Sequence, residues 1–373
     1  MKFLYVTTVV STMDFFVEHI KMLQNLGHIV ELATNVNITP SDEVLNLNCK
    51  IHDIKFSRNP FSIDNILSKN EFKRLIQNQK YDVVHTHTPN ASIIVRLVCK
   101  KFRKKGLRVI YTTHGFHFYK GAPLKNWIIY YSLEKICSNW TDILITINKE
   151  DYELAKRKMK AKKIRYIPGI GVDLNKISSE KMANHYKKSK FNLNEDDIVF
   201  LSVGELNKNK NHISVINALG MLKEEGKINK IHYLICGQGN EKEVLEQYIS
   251  KKNLEENVHL LGFRKDILSI YSIADCFVFP SFREGLSVSV MEAMANGLPI
   301  ICSKIRGNED LIDDNGGFLF DPHNVNSIKE CIENYLNCGI RQKHEMSNYN
   351  MKKVEKFEKS KVLNEIYKVY FLD

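Results

Sequence analysis

The chain has 373 residues, enough for two or three domains with cores of their own, and its 43% hydrophobic and 26% charged residues describe a folded protein that faces water. No apolar run reaches the roughly 18 residues of a membrane span, and eight scattered cysteines without a CxxC pair exclude a zinc ribbon or a disulfide-stapled scaffold. The excess of 54 basic over 43 acidic residues, a net charge of +11, suits an anionic partner. Met1 to Phe16 holds one early lysine and then polar interruptions rather than a secretory signal, so a cytoplasmic location is expected.

From the start, KFLYVTT, HIVELAT, DVVHTH, RVIYTTH and DILITI read as buried strands, with helical patterns such as DFFVEHIKMLQNLG between them. The rhythm repeats in DIVFLSVG, IHYLICG, NVHLLG, DCFVFPS and LPIICS, interleaved with helices such as NHISVINALGMLKEEG, which Gly226 should stop. Strict alternation of strand and helix requires right-handed crossovers, and therefore parallel, doubly wound sheets. Two such sets predict an α/β chain of two Rossmann-like domains, 1–180 and 181–345. The turn signal IPGIG and the polar stretch Asp173 to Asp196 connect them. The remainder, 346–373, reads as one long helix returning to the first domain.

In open parallel sheets, ligands bind beyond the carboxyl ends of the strands, which for two domains predicts a site in a cleft. The candidate segments are those that follow strands: 7–13, 85–89, 114–120, 204–211, 237–240, 262–266 and 282–289. The last lies in PSFREGLSVSVMEAMANGLPI, where Glu284 and Glu292 stand eight positions apart with only glycine, serine and apolar residues between them. A helix starting near Ser287 spreads that spacing over roughly 12 Å, about the length of a sugar, a diphosphate and a ribose. The free amides of a helix start bind phosphate, and carboxylates accept hydrogen bonds from sugar hydroxyls. A plainer reading stays open: Ser289 and Glu292 have capping-box spacing.

Taken together, these segments resemble the retaining glycosyltransferases of family 4, which have the two-domain GT-B fold. EGLSVSVMEAMANGLPI is similar to their E-x7-E signature, and DVVHTHTP, the THG loop, SVGELNKNKNH, HLLGFRKDI, ADCFVFPSFREG and GGFLFDP follow in the family's order. HGFHFYKGAPLKNWIIYYSLEK further resembles a bacterial subgroup that builds exopolysaccharide and capsule. The resemblance implies transfer of a hexosyl or N-acetylhexosaminyl group, with retention, from a nucleotide-diphosphate donor, UDP on family precedent. The implied acceptor is a saccharide or a polyprenyl-linked saccharide, and no metal or other cofactor is implied. Glu284, with the backbone of Gly285, Leu286 and Ser287, is implied at the donor sugar, Glu292 at the ribose, and His114 over the anomeric region. Lys210, on the loop that Gly204 begins, is implied at the diphosphate, and Phe263 and Arg264 at the base. The implied catalytic set is His114, Glu284 and Lys210, with Ser11, Thr12, His117 and Tyr119 on the acceptor side.

Two positions depart from the family pattern. Glu205 stands where an arginine is usual, and Arg306 in SKIRGNEDL is expected to replace that charge; TTVVSTMD stands where many relatives have a glycine pair. CGQGNEKE lacks the third glycine of a dinucleotide fingerprint, and His85 and His87 have no third metal ligand at suitable spacing, so one of them at least should be a core or rim histidine. RLVCKKFRKKGLR, Arg96 to Arg108, would make one cationic face on a helix, and Trp127, Ile128, Tyr130 and Tyr131 lie nearby in sequence. Cations beside aromatic residues favour an anionic membrane over nucleic acid, and a peripheral place on the inner face of the plasma membrane. A sugar-nucleotide epimerase on the same fold, or a silent sugar-nucleotide-binding partner of an assembly complex, are the alternative functions.

Overall fold

The computed structural model describes residues 1–59, 62–183 and 186–373. They form two compact units, Met1–Ile170 with Ser360–Asp373, and Gly171–Lys359.

In the first unit, seven parallel strands run in the order β3-β2-β1-β4-β5-β6-β7: β1 Lys2–Val9, β2 Ile29–Asn35, β3 Lys50–Asp53, β4 Val83–Thr86, β5 Arg108–Thr113, β6 Ile143–Thr146 and β7 Lys163–Tyr166. Central strands are buried at nearly every position because both faces are covered, and the pleat sends alternate side chains to opposite sides. Phe3 and Tyr5 therefore join one core with Val83, Ile110 and Ile145, and Leu4 and Val6 join the other with Val84, Val95 and Phe72. The first core is completed by Val362, Ile366, Val369 and Tyr370 from the helix Lys359–Phe371. Arg108 donates to the carbonyls of Tyr370 and Val369, both at 2.7 Å, where a helix end leaves carbonyls unsatisfied.

In the second unit, six parallel strands run in the order β10-β9-β8-β11-β12-β13: β8 Ile198–Val203, β9 Ile231–Cys236, β10 Val258–Gly262, β11 Cys276–Phe279, β12 Ile300–Ser303 and β13 Gly317–Phe320. The helix His212–Glu224 stops as its sequence requires, with Gly226 at φ 72° and its amide donating to the Lys223 carbonyl.

Three observations differ from the sequence expectations. The units divide at Ile170 and Gly171, ten residues before the expected 180, and Leu174–Ala183 in the supposed connection is helical; Asn184 and His185 of that stretch lie outside the described residues. The tail is two helices, Ile340–Val354 and Lys359–Phe371, broken at Glu355–Phe357, where Val172 exchanges backbone hydrogen bonds with Phe357 and Lys359 at 2.9 Å each. A pairing made with a residue so distant in sequence leaves no local signal of a break. Strands β3, β7 and β13 were absent from the sequence reading. Each lies at a sheet edge and is only half-buried, so its residues are too polar or too few to stand out.

Candidate active site

Each sheet has one place where the strand order reverses, and the loops leaving the two strands there diverge to open a crevice. In the second unit the reversal falls between β8 and β11, whose following loops carry Lys210 and Glu284. The Lys210 ammonium meets the Glu284 carboxylate at 2.8 Å, both half-buried, and lies 4.6 Å from the centre of the Phe279 ring. Gly204 at the end of β8 leaves room for the lysine stem: a Cβ there would sit 3.2 Å from Lys210 Cε. Two asparagines hold this geometry. Asn209 donates to the Arg283 carbonyl at 2.9 Å, and Asn211 donates to the carbonyls of Pro280 and Pro322 at 3.1 Å each.

Beyond Glu284, Ser287 is the N-cap of the helix Val288–Ala295, accepting from the Val290 amide. Glu292 therefore stands at the fifth helical position, too far along to close a capping box, which needs the third. Its carboxylate instead accepts from the Tyr271 hydroxyl at 3.2 Å, and burial raises its pKa against the pull of Tyr271, Lys176 and Lys359. Arg306 is buried in the loop after β12. Its neighbour Gly307, at φ 80°, lies against the Gly285 carbonyl so closely that a Cβ would come within 2.2 Å. Gly239 serves a similar end: a Cβ there would come within 2.2 Å of the Leu206 carbonyl, so the CGQGN segment packs the β9 loop onto the β8 loop. Glu205 is exposed and accepts from Asn207 at 3.0 Å, while the Lys210 charge is taken by Glu284. Phe263, 64% exposed after edge strand β10, offers an open ring face, and the Arg264 fork is held by Asp266.

In the first unit the reversal lies between β1 and β4. His114, following β5, is partly exposed, and its Nε2 faces His87 Nδ1 at 3.5 Å. Burial lowers the His114 pKa to about 4, so the ring is neutral near pH 7. His85 and His87 are both core residues. His85 bonds Tyr370 at 2.6 Å and Thr112 at 2.8 Å. A cavity of ≈ 300 Å³ beside them is lined by Thr8, Thr12, Arg58, Thr88, His117 and Tyr130 among others, with the His117 and Tyr130 rings stacked at 4.6 Å. Ser11 and Tyr119 are not part of that lining.

The family model described as "Glycosyl transferases group 1" matches residues 185–353, and "Glycosyl transferase 4-like" matches residues 2–148. EpsD of Bacillus subtilis is 35% identical over 310 residues, 82% of this chain and 79% of that one. The UDP-Gal:alpha-D-GlcNAc-diphosphoundecaprenol alpha-1,3-galactosyltransferase of Escherichia coli is 32% identical over 276 residues, 73% and 70% of the two chains. The chain is a group 1 glycosyltransferase. Solved structures agree on the GT-B fold. HepE of Anabaena, in complex with UDP and glucose, has a TM-score of 0.79 at 15% identity over 99% of both chains; sucrose-phosphate synthase of Thermosynechococcus elongatus has 0.77 at 18% identity, over 99% of this chain and 98% of that one.

The glycosyltransferase corrects one sequence expectation outright: 96–108 is not one cationic helical face. The helix ends at Cys99, and the chain then turns through Arg103–Lys105 into β5. Arg96 is fully buried, with Glu134 at 2.7 and 3.0 Å, Ser92 at 3.0 Å and the Tyr111 ring 4.2 Å away. Arg103 is forked onto Asp142, and Arg108 onto the carbonyls named above. Trp127 and Tyr131 pack on Phe118 rather than facing out. Along the continuous helical segment Leu124–Ser138, the large apolar residues that do face out are Leu124, Ile128, Ile129 and Ile136, between 37% and 74% exposed, with Lys125 and Lys135 among them. The asparagines of NKNKN are not singled out by the sequence reading, although Asn at a turn that needs positive φ, such as Asn211 at 55°, is the available signal.

Proposed function

We propose that this glycosyltransferase moves a sugar, with retention, from a UDP-sugar donor onto a saccharide or polyprenyl-linked saccharide during synthesis of a bacterial cell-surface polysaccharide. The Lys210–Glu284 pair at the strand reversal carries the reading, because it supplies one fixed cation for a leaving diphosphate and one acceptor for sugar hydroxyls within hydrogen-bond reach of each other. Arg306 adds a buried guanidinium on the loop beside Gly285, and Glu292 takes the ribose. Phe263 meets the base, with Arg264 beside it. His114 lies against the sugar, and the cavity of Thr12 and His117 takes the acceptor. The departing phosphate oxygen receives the acceptor proton, so no side-chain base is required. The UDP-bound HepE and the diphosphoundecaprenol acceptor in the Escherichia coli relative's name support the donor and acceptor classes. Incubating the pure protein with a panel of nucleotide sugars, with and without diphospholipid-linked saccharides, tests the proposal. Acceptor-dependent release of UDP and an α-linked product from an α-linked donor are expected. A changed sugar in the donor incubated alone would make the protein an epimerase, and binding without turnover a silent partner.

Glu292→Gln is expected to weaken UDP binding by about 1.5–3 kcal/mol, the worth of hydrogen bonds to a charged group, while leaving the melting temperature unchanged or higher. Its raised pKa means that the folded protein already disfavours this charge, so neutral glutamine costs the fold little. Calorimetry with UDP and a thermal melt give both values. Unchanged affinity would remove Glu292 from the donor site.

The protein is further placed, by this proposal, on the inner face of the plasma membrane through the outward apolar residues of Leu124–Ser138, flanked by cations. No helix among the described residues is long and apolar enough to cross a membrane. Each lysine near an anionic leaflet contributes about 1 kcal/mol and each inserted Leu or Ile about 1.5–3 kcal/mol. Changing Leu124, Ile128 and Ile136 to serine should therefore reduce sedimentation with phosphatidylglycerol vesicles even at high salt. Changing Lys100, Lys101, Lys104 and Lys105 to glutamine should matter only at low salt. Wild-type protein that stays in the supernatant at low salt would refute the placement.

A further inference from the structure

We propose that His87 is a positioning residue that fixes His114 as its Nδ1–H tautomer, so that His114 offers the bound sugar a hydrogen-bond donor rather than a base. The proposal rests on the reading of His114 as a residue that touches substrate. His87 lies one residue beyond β4 and is buried, its ring stacked on Phe16 at 3.7 Å and 26° and on Tyr5 at 5.3 Å and 20°, with the His85 ring 4.0 Å away. Held from several sides, it has no freedom to flip toward another partner. Its Nδ1 faces His114 Nε2 at 3.5 Å, the long end of the hydrogen-bond range, and its Nε2 is buried with no partner among the described residues.

A neutral imidazole has one N–H and one lone pair. If the His87 proton were on Nε2, the core would hold an orphaned N–H, which folded proteins avoid more strictly than an unused acceptor. The proton therefore belongs on Nδ1, which donates to His114 Nε2. That nitrogen must then present its lone pair, and the His114 proton is left on Nδ1, for which no partner exists among the described residues. Both rings are neutral near pH 7, since burial holds His114 near 4 and His87 well below its ordinary value. A neutral N–H donor stabilises charge growing on an oxygen without surrendering its proton, which suits a reaction whose proton is taken by the leaving phosphate. Histidine in water favours the other tautomer, so the protein has to impose this one.

Long-range ¹⁵N–¹H correlation spectra at pH 7.5 separate the two tautomers by their nitrogen shifts, and loss of one ring from the His114→Asn spectrum assigns it. The expected result for the wild type is His114 in the Nδ1–H form. His87→Leu should shift it toward the Nε2–H form and lower kcat by about 10- to 100-fold, with KM for the donor changed less than twofold. His87→Asn, whose amide nitrogen falls near the lost Nδ1, should keep the tautomer and most of the turnover. An Nε2–H ring in the wild type overturns the proposal without the need of any variant, as does full turnover in folded His87→Leu. Full turnover in His114→Asn would instead sink the assignment of His114 to the substrate, while the spectrum would still report on His87.

Discussion

Replacing Lys210 by alanine is expected to lower kcat by about 10²–10³, the usual cost of losing one preorganised charge at a developing anion. The effect has two sources. The leaving diphosphate loses a cation that the fold already aims, since Gly204 makes room for its stem and the Phe279 ring lies against its ammonium. Glu284, at 2.8 Å in the native pair, would then be an unopposed carboxylate beside incoming phosphate. Stability should change little, because the pair is half-buried and water can replace the missing partner. Steady-state kinetics with a thermal melt decide the matter. Lys210→Arg should recover part of the loss by keeping the charge but not its shape. Turnover within threefold of wild type in the alanine variant would place the diphosphate elsewhere and leave the pair as a mere tie between two loops.

Removing Glu134 should have the largest effect on stability, about 3–5 kcal/mol for Glu134→Ala. Arg96 is completely buried, and among the described residues the hydrogen bonds of its guanidinium end on Glu134 and Ser92. Without the carboxylate the protein must keep an uncompensated cation in its core or open to let water in. For a unit of this size the loss corresponds to a fall in melting temperature of roughly 6–20 °C. The double substitution Arg96→Met with Glu134→Leu should restore much of it, since apolar residues of similar volume replace a buried pair without its desolvation cost. A Glu134→Ala melt within 2 °C of wild type would show that the cation finds another partner.

Arg96 also shows where sequence reading stops. In RLVCKKFRKKGLR it is one basic residue among seven. Its burial follows from its place on the helix one turn after Ser92 and from an acid 38 positions away, neither of which composition records. Central strands were legible because burial on both faces makes them largely apolar, whereas KIHD and KIRY, at the edges, carry charges that face water, and GFLF, although Phe320 lies in the core, is only four residues long. Ser287 was placed at its helix start by local chemistry, since a serine before an apolar run satisfies amides whatever the rest of the chain does. Glu205 marks the opposite case: its sign suggested a conflict with phosphate, and only its exposure and its bond to Asn207 show the carboxylate otherwise engaged. The buried His85–Tyr370 bond, spanning 285 positions, had no sequence signature at all.

The segment Ser360–Asp373 belongs to the first unit, although 189 residues of the second, Gly171–Lys359, are strung between it and Ile170. On the ribosome this ordering reverses the usual sequence of events, in which the domain made first also finishes first. At synthesis rates of about 5–20 residues per second, β1 must wait roughly 20–70 s for the helix that covers Phe3 and Tyr5. The second unit, whose two ends meet where Val172 pairs with Glu358, can meanwhile close on its own. A chain cut off within the second unit would leave Phe3, Tyr5 and their neighbours exposed as an open apolar face. The unit begun first is thereby the one finished last, because its apolar sheet stays uncovered until Ser360–Asp373 has been made.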